Sequence, residues 1–199
     1  MPTDASDDLP SRLRRALAER SPGVVAEWVA RPAAVLVPLL RQDGAWHLLL
    51  TRRTDNVETH RGQVSFPGGR LEPGDTDPVA AALREAHEEV GLAPEDVQVV
   101  GPMNSLMTVT QYLITPVVGI IPWPYPLRPD PVEVADVFTI PLSWLADPVN
   151  LETRSRPPLG GGPEIPVFSY LPFHGHVLWG ASARITVDLL RLLGLWRGG

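Results

Sequence analysis

The chain contains no cysteine among its 199 residues, which excludes a disulfide framework, a thiolate nucleophile and cysteine-ligated zinc. It also lacks any long apolar run. The longest stretches, such as Val117 to Ile121, are far too short to cross a bilayer, so no membrane partner is expected. Positive charge is scarce: 17 Lys and Arg against 23 Asp and Glu leave a net charge of −6, and such a chain has no long-range attraction for nucleic acid. An anionic ligand would therefore need local help, from a bound divalent cation or from a few clustered arginines. The N-terminal residues Met1 to Asp8 are acidic and lack the basic and apolar regions of a secretory signal, so the expected location is cytoplasmic.

What is present fits a globular chain. Hydrophobic residues make up 44% and charged residues 20%, enough to build one core at this length. The 23 prolines are scattered, clustering near Pro122 to Pro131 and Pro157 to Pro166, and read mostly as stiff loops. Leu159-Gly160-Gly161-Gly162-Pro163 reads as a flexible turn. Residues 11–20 predict a short helix, with Ser11 as its cap and Leu13, Ala16 and Leu17 on one face. Two strands follow, 33–40 and 46–51, joined by the hairpin turn Arg41-Gln42-Asp43-Gly44. Pro38 places the first of them at a sheet edge or a bulge. A strand ending at Gly68-Gly69 reads as stopping at a glycine turn. Further strands are expected at 97–100, 113–121 and 134–140, and a final helix at 181–193.

The best-defined element lies between Asp77 and Gly91. An aspartate oxygen accepts the free N–H groups of a helix start, Pro78 lacks only a donor that would go unpaired, and glycine supplies a left-handed stop. Val79, Leu83, Ala86 and Val90 recur at helical spacing and are expected to face the core. At about 100° per residue, Glu85 and Glu89 stack one above the other with Glu88 beside them. Runs of charge on a helix usually mean a solvated face. Like charges at that spacing also repel, and a hard divalent cation is a natural partner for them, with Arg84 as a competing neutraliser through Glu88. The glycines just upstream favour the cation, since they permit close backbone approach to the start of an acidic helix.

The spacing Gly69-x5-Asp75-x8-Arg84-Glu85-Ala86-x-Glu88-Glu89-x-Gly91-Leu92 resembles the Nudix box. Two departures, aspartate at position 75 and one extra residue before Arg84, are similar to the coenzyme A pyrophosphatase branch of that family. A second motif of the branch is matched by Leu49-Leu50-Thr51-Arg52-Arg53-Thr54 followed by Gly62-Gln63-Val64-Ser65-Phe66-Pro67-Gly68-Gly69. Glu58 stands where that motif has arginine, which removes or reverses one contact to an anionic coenzyme, with Arg53 and Arg61 as the nearby cations.

The resemblance implies an α+β Nudix fold, a mixed β-sheet sandwiched between helices in an α/β/α arrangement. It would comprise an N-terminal helical segment, 1–30, packed on a single domain, 31–199. It further implies Glu85 and Glu89 as ligands of Mg2+ or Mn2+, with Glu88 as a third candidate. Glu85 or Glu88 would take the proton from an attacking water, and Arg84 would fix the glutamates. Arg52, Arg53 and Arg61, with the backbone of Gly68 and Gly69, would hold the substrate, a small molecule: coenzyme A or a related nucleoside diphosphate derivative. Coenzyme A would be split into adenosine 3′,5′-bisphosphate and 4′-phosphopantetheine. Other Nudix substrates, ADP-ribose, dinucleotides or nucleoside triphosphates, form the second reading, and a non-catalytic ligand-sensing module the third.

The remaining polar and aromatic candidates, His60 and His87 at variable motif positions among them, carry plainer expectations. His87 points away from the glutamates and His60 is a polar loop residue; Thr108, Thr110 and Tyr112 border the cleft or pack; Glu133 and Asp136 are spare carboxylates, either solvated or completing the metal shell; Trp179 packs in the core. Glu58 gives a direct probe of the substrate motif. Glu58→Arg is expected to lower KM for coenzyme A in a steady-state assay, and an unchanged or higher KM counts against a role for that position in anion binding.

Overall fold

The computed structural model describes residues 8–19, 30–54, 62–156 and 164–196. The chain runs α1 (Leu9–Ala18), β1 (Arg31–Gln42), β2 (Ala45–Arg53), β3 (Val64–Ser65), β4 (Gly68–Arg70), α2 (Pro78–Val90), β5 (Gln98–Pro102), β6 (Leu106–Met107), β7 (Tyr112–Ile120), β8 (Val134–Pro141), α3 (Leu142–Leu145), β9 (Leu151–Arg156), β10 (Ile165–Tyr170) and α4 (Gly180–Leu192). Asp43 and Gly44 both take positive φ, 50° and 78°, and close the β1–β2 hairpin between the paired residues Gln42 and Ala45. Two consecutive left-handed residues give a turn whose twist matches that of the strands, which is why Asp-Gly serves here.

The main sheet has the order β3-β2-β1-β7-β5, with β4 also paired to β1, β6 to β7 and β8 to β2. β1 and β7 run parallel from Arg31↔Tyr112 to Leu39↔Ile120, whereas the other pairings are antiparallel, so the sheet is mixed. Alternation along β1 and β2 divides the core into two layers. Leu36, Leu40 and Leu49 pack with Ala82, Ala86 and Val90 of α2. On the opposite face Val37, Leu39, Leu48 and Leu50 pack with Leu13 of α1 and Ile185, Leu189 and Leu190 of α4. This is the expected sheet between helices. Among the described residues no helix is long and apolar enough to cross a membrane.

Several expectations are corrected. β1 is a central strand, not an edge. Leu36 N–H donates toward β4, to Pro67 O at 2.8 Å, so Pro38, two residues on, turns its donor-free nitrogen to the same side. There β4 has left the ladder after Val35 and β2 joins at Leu39, and no N–H is required. The first helix starts at Leu9 behind Asp8, so Ser11 lies inside it and is not its cap. Trp179, expected in the core, is 46% exposed and precedes α4 as its N-cap residue. The β9–β10 hairpin forms a separate two-stranded sheet that hydrophobic patterning had not indicated. The glycine turn expected at 159–163 lies outside the described residues.

α2 has the boundaries its sequence signals. Asp77 Oδ1 accepts from Ala80 N–H at 2.9 Å, Pro78 opens the helix, and Gly91 ends it with φ 70°. Its buried face differs from the expected stripe: Ala81, Ala82, Ala86, Glu89 and Val90 are buried, while Val79 and Leu83 are only partly covered. Small residues bring the helix backbone close to the sheet, and that approach carries Glu89 inward. Asp77→Ala should lower the unfolding free energy by about 1 kcal/mol through loss of the cap. Urea denaturation measures it, and an unchanged midpoint would show that the cap contributes nothing.

Candidate functional site

The acidic face of α2 lies along the outer edge of β4. Gly68 and Gly69, expected in a turn, are strand residues paired with Val35 and Ala34. The correction changes what they do. A Cβ on Gly69 would lie 2.5 Å from Glu85 Cδ, and one on Gly68 would lie 2.5 Å from Val35 Cα. Gly69 is therefore the spacer that lets a carboxylate-bearing helix rest on the strand, while Gly68 lets β4 lie close against β1. The Gly68 N–H, which faces away from β1, donates to Glu89 Oε2 at 3.3 Å.

Arg84 ties this edge together. Its Nε and Nη2 donate to the two oxygens of Asp75 at 3.1 and 3.0 Å, and Nη2 also reaches the Arg70 carbonyl at 3.1 Å. Nη1 donates to Glu85 Oε1 and Glu88 Oε2, each at 3.0 Å. The planar guanidinium thus presents a bidentate fork to Asp75 while orienting two glutamates. Hydrogen bonding from Arg84 holds the Asp75 carboxyl below its ordinary value, and the same bonds raise the pKa of Arg84.

A second arginine closes the other end. Arg53 at the end of β2 donates through Nη1 to Glu89 Oε1 at 3.3 Å and through Nη2 to Glu133 Oε2 at 3.1 Å. Of the two readings of Glu133, solvated carboxylate or late member of the acidic site, its position beside Arg53 and Glu89 favours the second. It lies 80 residues from its partner, and the β2–β8 pairing brings the two together. The Arg53 Nε is itself buried without a hydrogen-bond partner.

The electrostatics are unbalanced. Asp75, Glu85, Glu88, Glu89 and Glu133 share Arg53 and Arg84, five carboxylates against two guanidiniums. Burial pushes Glu89 up to about 8 against the pull of Arg53, with the Glu85 and Glu133 charges adding to the shift. Burial also raises Glu85, which Arg84 opposes. Among the described residues no three acidic or imidazole groups are gathered into a ready ion cage, and Arg53 and Arg84 are bonded to the carboxylate oxygens. Glu85 and Glu89 nonetheless offer hard oxygen donors in a negative, partly dry site, the environment that favours a divalent cation.

The remaining expected residues separate. Arg52 follows the opposite face of β2 from Arg53, and Glu88 is the most open of the three helix glutamates, its side chain 57% exposed. His87 is exposed. Asp136 pairs with His176, 3.1 Å away. The Thr108 and Thr110 hydroxyls bond each other at 3.0 Å in the turn before β7, and Tyr112 OH accepts from Arg70 Nε at 2.9 Å. Glu58, His60 and Arg61 lie outside the described residues.

The NUDIX domain pattern matches residues 30–158, a span that contains both glycines, all of α2 and Glu133. Two relatives described as uncharacterized Nudix hydrolase NudL align over 171 residues, covering 83% of this chain and 84% of each relative. The Enterobacter sp. (strain 638) protein is 39% identical and the Escherichia fergusonii protein 48%. Among solved structures, a MutT/nudix family protein from Enterococcus faecalis superposes with a TM-score of 0.53 at 15% identity, over 98% of this chain and 81% of that one. A Nudix hydrolase from M. smegmatis, RenU, gives 0.50 at 24% identity, over 60% of this chain and 76% of that one. The two structures share the fold.

The raised Glu89 pKa makes a prediction for the cation-free protein. Between its ordinary 4.5 and about 8 the folded state keeps a proton that the unfolded chain has released. The contribution is therefore fully present below the unfolded value and is lost as pH rises through the folded one. In chelator, stability should fall between pH 5 and 8.5 by on the order of 2 to 4 kcal/mol from this group, and Glu89→Gln should flatten that fall. Denaturant unfolding at three pH values measures it; equal slopes for the two proteins would show that Glu89 is ionised throughout.

Proposed function

The chain belongs to the Nudix hydrolase family, and from that premise we propose that it hydrolyses the pyrophosphate linkage of coenzyme A or its derivatives, yielding adenosine 3′,5′-bisphosphate and 4′-phosphopantetheine. Nudix hydrolases are enzymes that act on phosphorus-containing anhydrides and use divalent metal ions. The observation that carries the coenzyme reading is the meeting of two segments at one carboxylate. The stretch from Leu49 to Gly69 resembles the coenzyme A branch, and its Arg53 and Gly68 both bond Glu89 of the acidic helix. Substrate motif and acidic helix are thus physically one site.

The donor set fits a hard cation. Glu85 and Glu89 are the proposed ligands with Glu88 as a third, and Mg2+ or Mn2+ suits their carboxylate oxygens. Such an ion, when bound, withdraws charge from pyrophosphate oxygens and acidifies water. The chain's own residues do the rest. Arg84 holds Glu85 and Glu88 in fixed orientations against Asp75, so that either can accept the proton of the attacking water without losing its place. Water adds to phosphorus, the bridging P–O bond breaks, and the leaving phosphate keeps the bond's electron pair. Arg53 supplies positive charge for phosphate oxygens that enter beside β4, and Arg52 and Arg61 are the further cations proposed from the same motif.

One feature favours a different Nudix substrate: Glu58 replaces the arginine of the coenzyme motif, which suits ADP-ribose or another ligand with fewer phosphates. Turnover of a panel of coenzyme A, ADP-ribose, NADH and nucleoside triphosphates with Mg2+ and Mn2+ separates these, with products identified by mass. Release of 4′-phosphopantetheine is the expected result, and Glu89→Gln should reduce it by on the order of 100-fold. Absence of coenzyme A cleavage with either ion would overturn the coenzyme reading, while full activity of Glu89→Gln would overturn the ligand assignment.

A further inference from the structure

Arg31 opens β1, Tyr112 opens β7 and Arg70 ends β4, and strand pairing sets the three side by side: Arg31 is the register partner of Tyr112, and Arg70 that of Ala33. Arg70 Nε donates to Tyr112 OH at 2.9 Å. The guanidinium carbons of Arg31 and Arg70 lie 5.9 and 5.5 Å from the centre of the Tyr112 ring. Among the described residues neither arginine is paired with a carboxylate. In a chain of net charge −6, two exposed guanidiniums that converge on a phenol, with no acidic partner among the described residues, are a pair of anion donors. Arg31, with Arg70 beside it, holds the Tyr112 phenol below its ordinary pKa, the mark of a local positive field.

The place of this cluster relates it to the glutamates. Gly69 turns its missing side chain toward Glu85, so the next residue of β4, Arg70, directs its side chain to the other face of the sheet. Arg31 lies three residues along β1 from Ala34, the partner of Gly69, a distance of about 10 Å. A ligand whose anhydride lies at the β4 edge could reach both arginines with a group a few bonds away. Further along the same face, Leu106 of β6 leads into a cleft of about 250 Å³ lined by Met103, Asn104, Ser105, Arg184 and Asp188.

We infer that Arg31, Arg70 and the Tyr112 hydroxyl form a binding site for a phosphate monoester that the substrate carries away from the scissile linkage. In coenzyme A that group is the 3′-phosphate of the ribose, an identification that rests on the coenzyme reading above. Two guanidiniums and a hydroxyl supply the donors a dianionic phosphate takes up, and the Arg70–Tyr112 bond holds one guanidinium in position before the ligand arrives.

The test is calorimetric titration of the full chain with adenosine 3′,5′-bisphosphate and with AMP, which lacks the 3′-phosphate. It is made on the wild type, Arg31→Ala, Arg70→Ala, Tyr112→Phe and Arg154→Ala, the last an exposed arginine of β9 that controls for net charge. The wild type should bind the bisphosphate roughly tenfold or more tightly than AMP. Arg31→Ala and Arg70→Ala should each shrink that ratio several-fold, Tyr112→Phe less, and Arg154→Ala not at all. No preference in the wild type, or a preference untouched by both site arginines, overturns the inference. A parallel comparison of kcat/KM for coenzyme A and its 3′-dephospho form separates it from the function. Equal losses on both substrates in a protein that cleaves coenzyme A overturn the phosphate site and leave the activity standing. Loss of the bisphosphate preference in a protein that does not cleave coenzyme A sustains the site and removes the coenzyme reading.

Discussion

Helix α2 rests on the sheet only because almost nothing projects between them. Gly69 has no side chain beneath Glu85, and Ala81, Ala82 and Ala86 fill the helix's buried face. Larger residues at these positions would lift the helix away and return its glutamates to water, where carboxylates in a row are ordinary. Close approach instead places Glu89 at 4% exposure and lays Glu85 across the position of an absent Cβ. The chemical character of the site follows from this steric fact, since a carboxylate in water needs no partner and a carboxylate out of water does.

Burial then creates an electrostatic demand that the chain meets incompletely. Arg84 and Arg53 stand at opposite ends of the acidic row and divide five carboxylates between them. Arg84 is saturated by Asp75 and serves mainly to orient Glu85 and Glu88, whereas Arg53 is shared by Glu89 and Glu133. The most buried member, Glu89, answers by holding its proton up to about pH 8. A fold that retains so poorly neutralised a group carries a local instability, and such groups persist where a ligand completes them.

What the sequence made legible was local. Asp77, Pro78 and Gly91 delimit α2 because caps act on backbone groups within a few residues, and the Asp43-Gly44 turn is readable because its φ requirement falls on two adjacent positions. The Arg84 contacts to Glu85 and Glu88 were accessible for the same reason, being helical neighbours. Glu133 is legible only as one of two spare carboxylates, because its place beside Arg53 depends on β8 pairing with β2. Pro38 misled in the opposite direction: proline usually marks an edge, yet here its missing donor coincides with the exchange of one neighbouring strand for another. Trp179 was assigned to the core on hydrophobicity alone, and its exposure depends on how the segment after β10 turns into α4. Arg70 carries no signal of its own, since the Nudix box spacing counts it as a variable position.

The three residues of β4 show how one short strand couples two faces. Strand alternation gives successive residues opposite directions, so a glycine required beneath Glu85 leaves its neighbour facing the α4 side. The Arg70 carbonyl stays on the outer edge, where Arg84 takes it, and the Arg70 guanidinium goes to Tyr112. Backbone and side chain of a single residue therefore join the acidic edge to the basic cluster. A shift of β4 by one register position would put Arg70 against the glutamates and a glycine beneath Tyr112, losing both arrangements together. Pairing of β4 with Ala33, Ala34 and Val35 is thus the common constraint on the glutamate site and on the arginine pair beyond it.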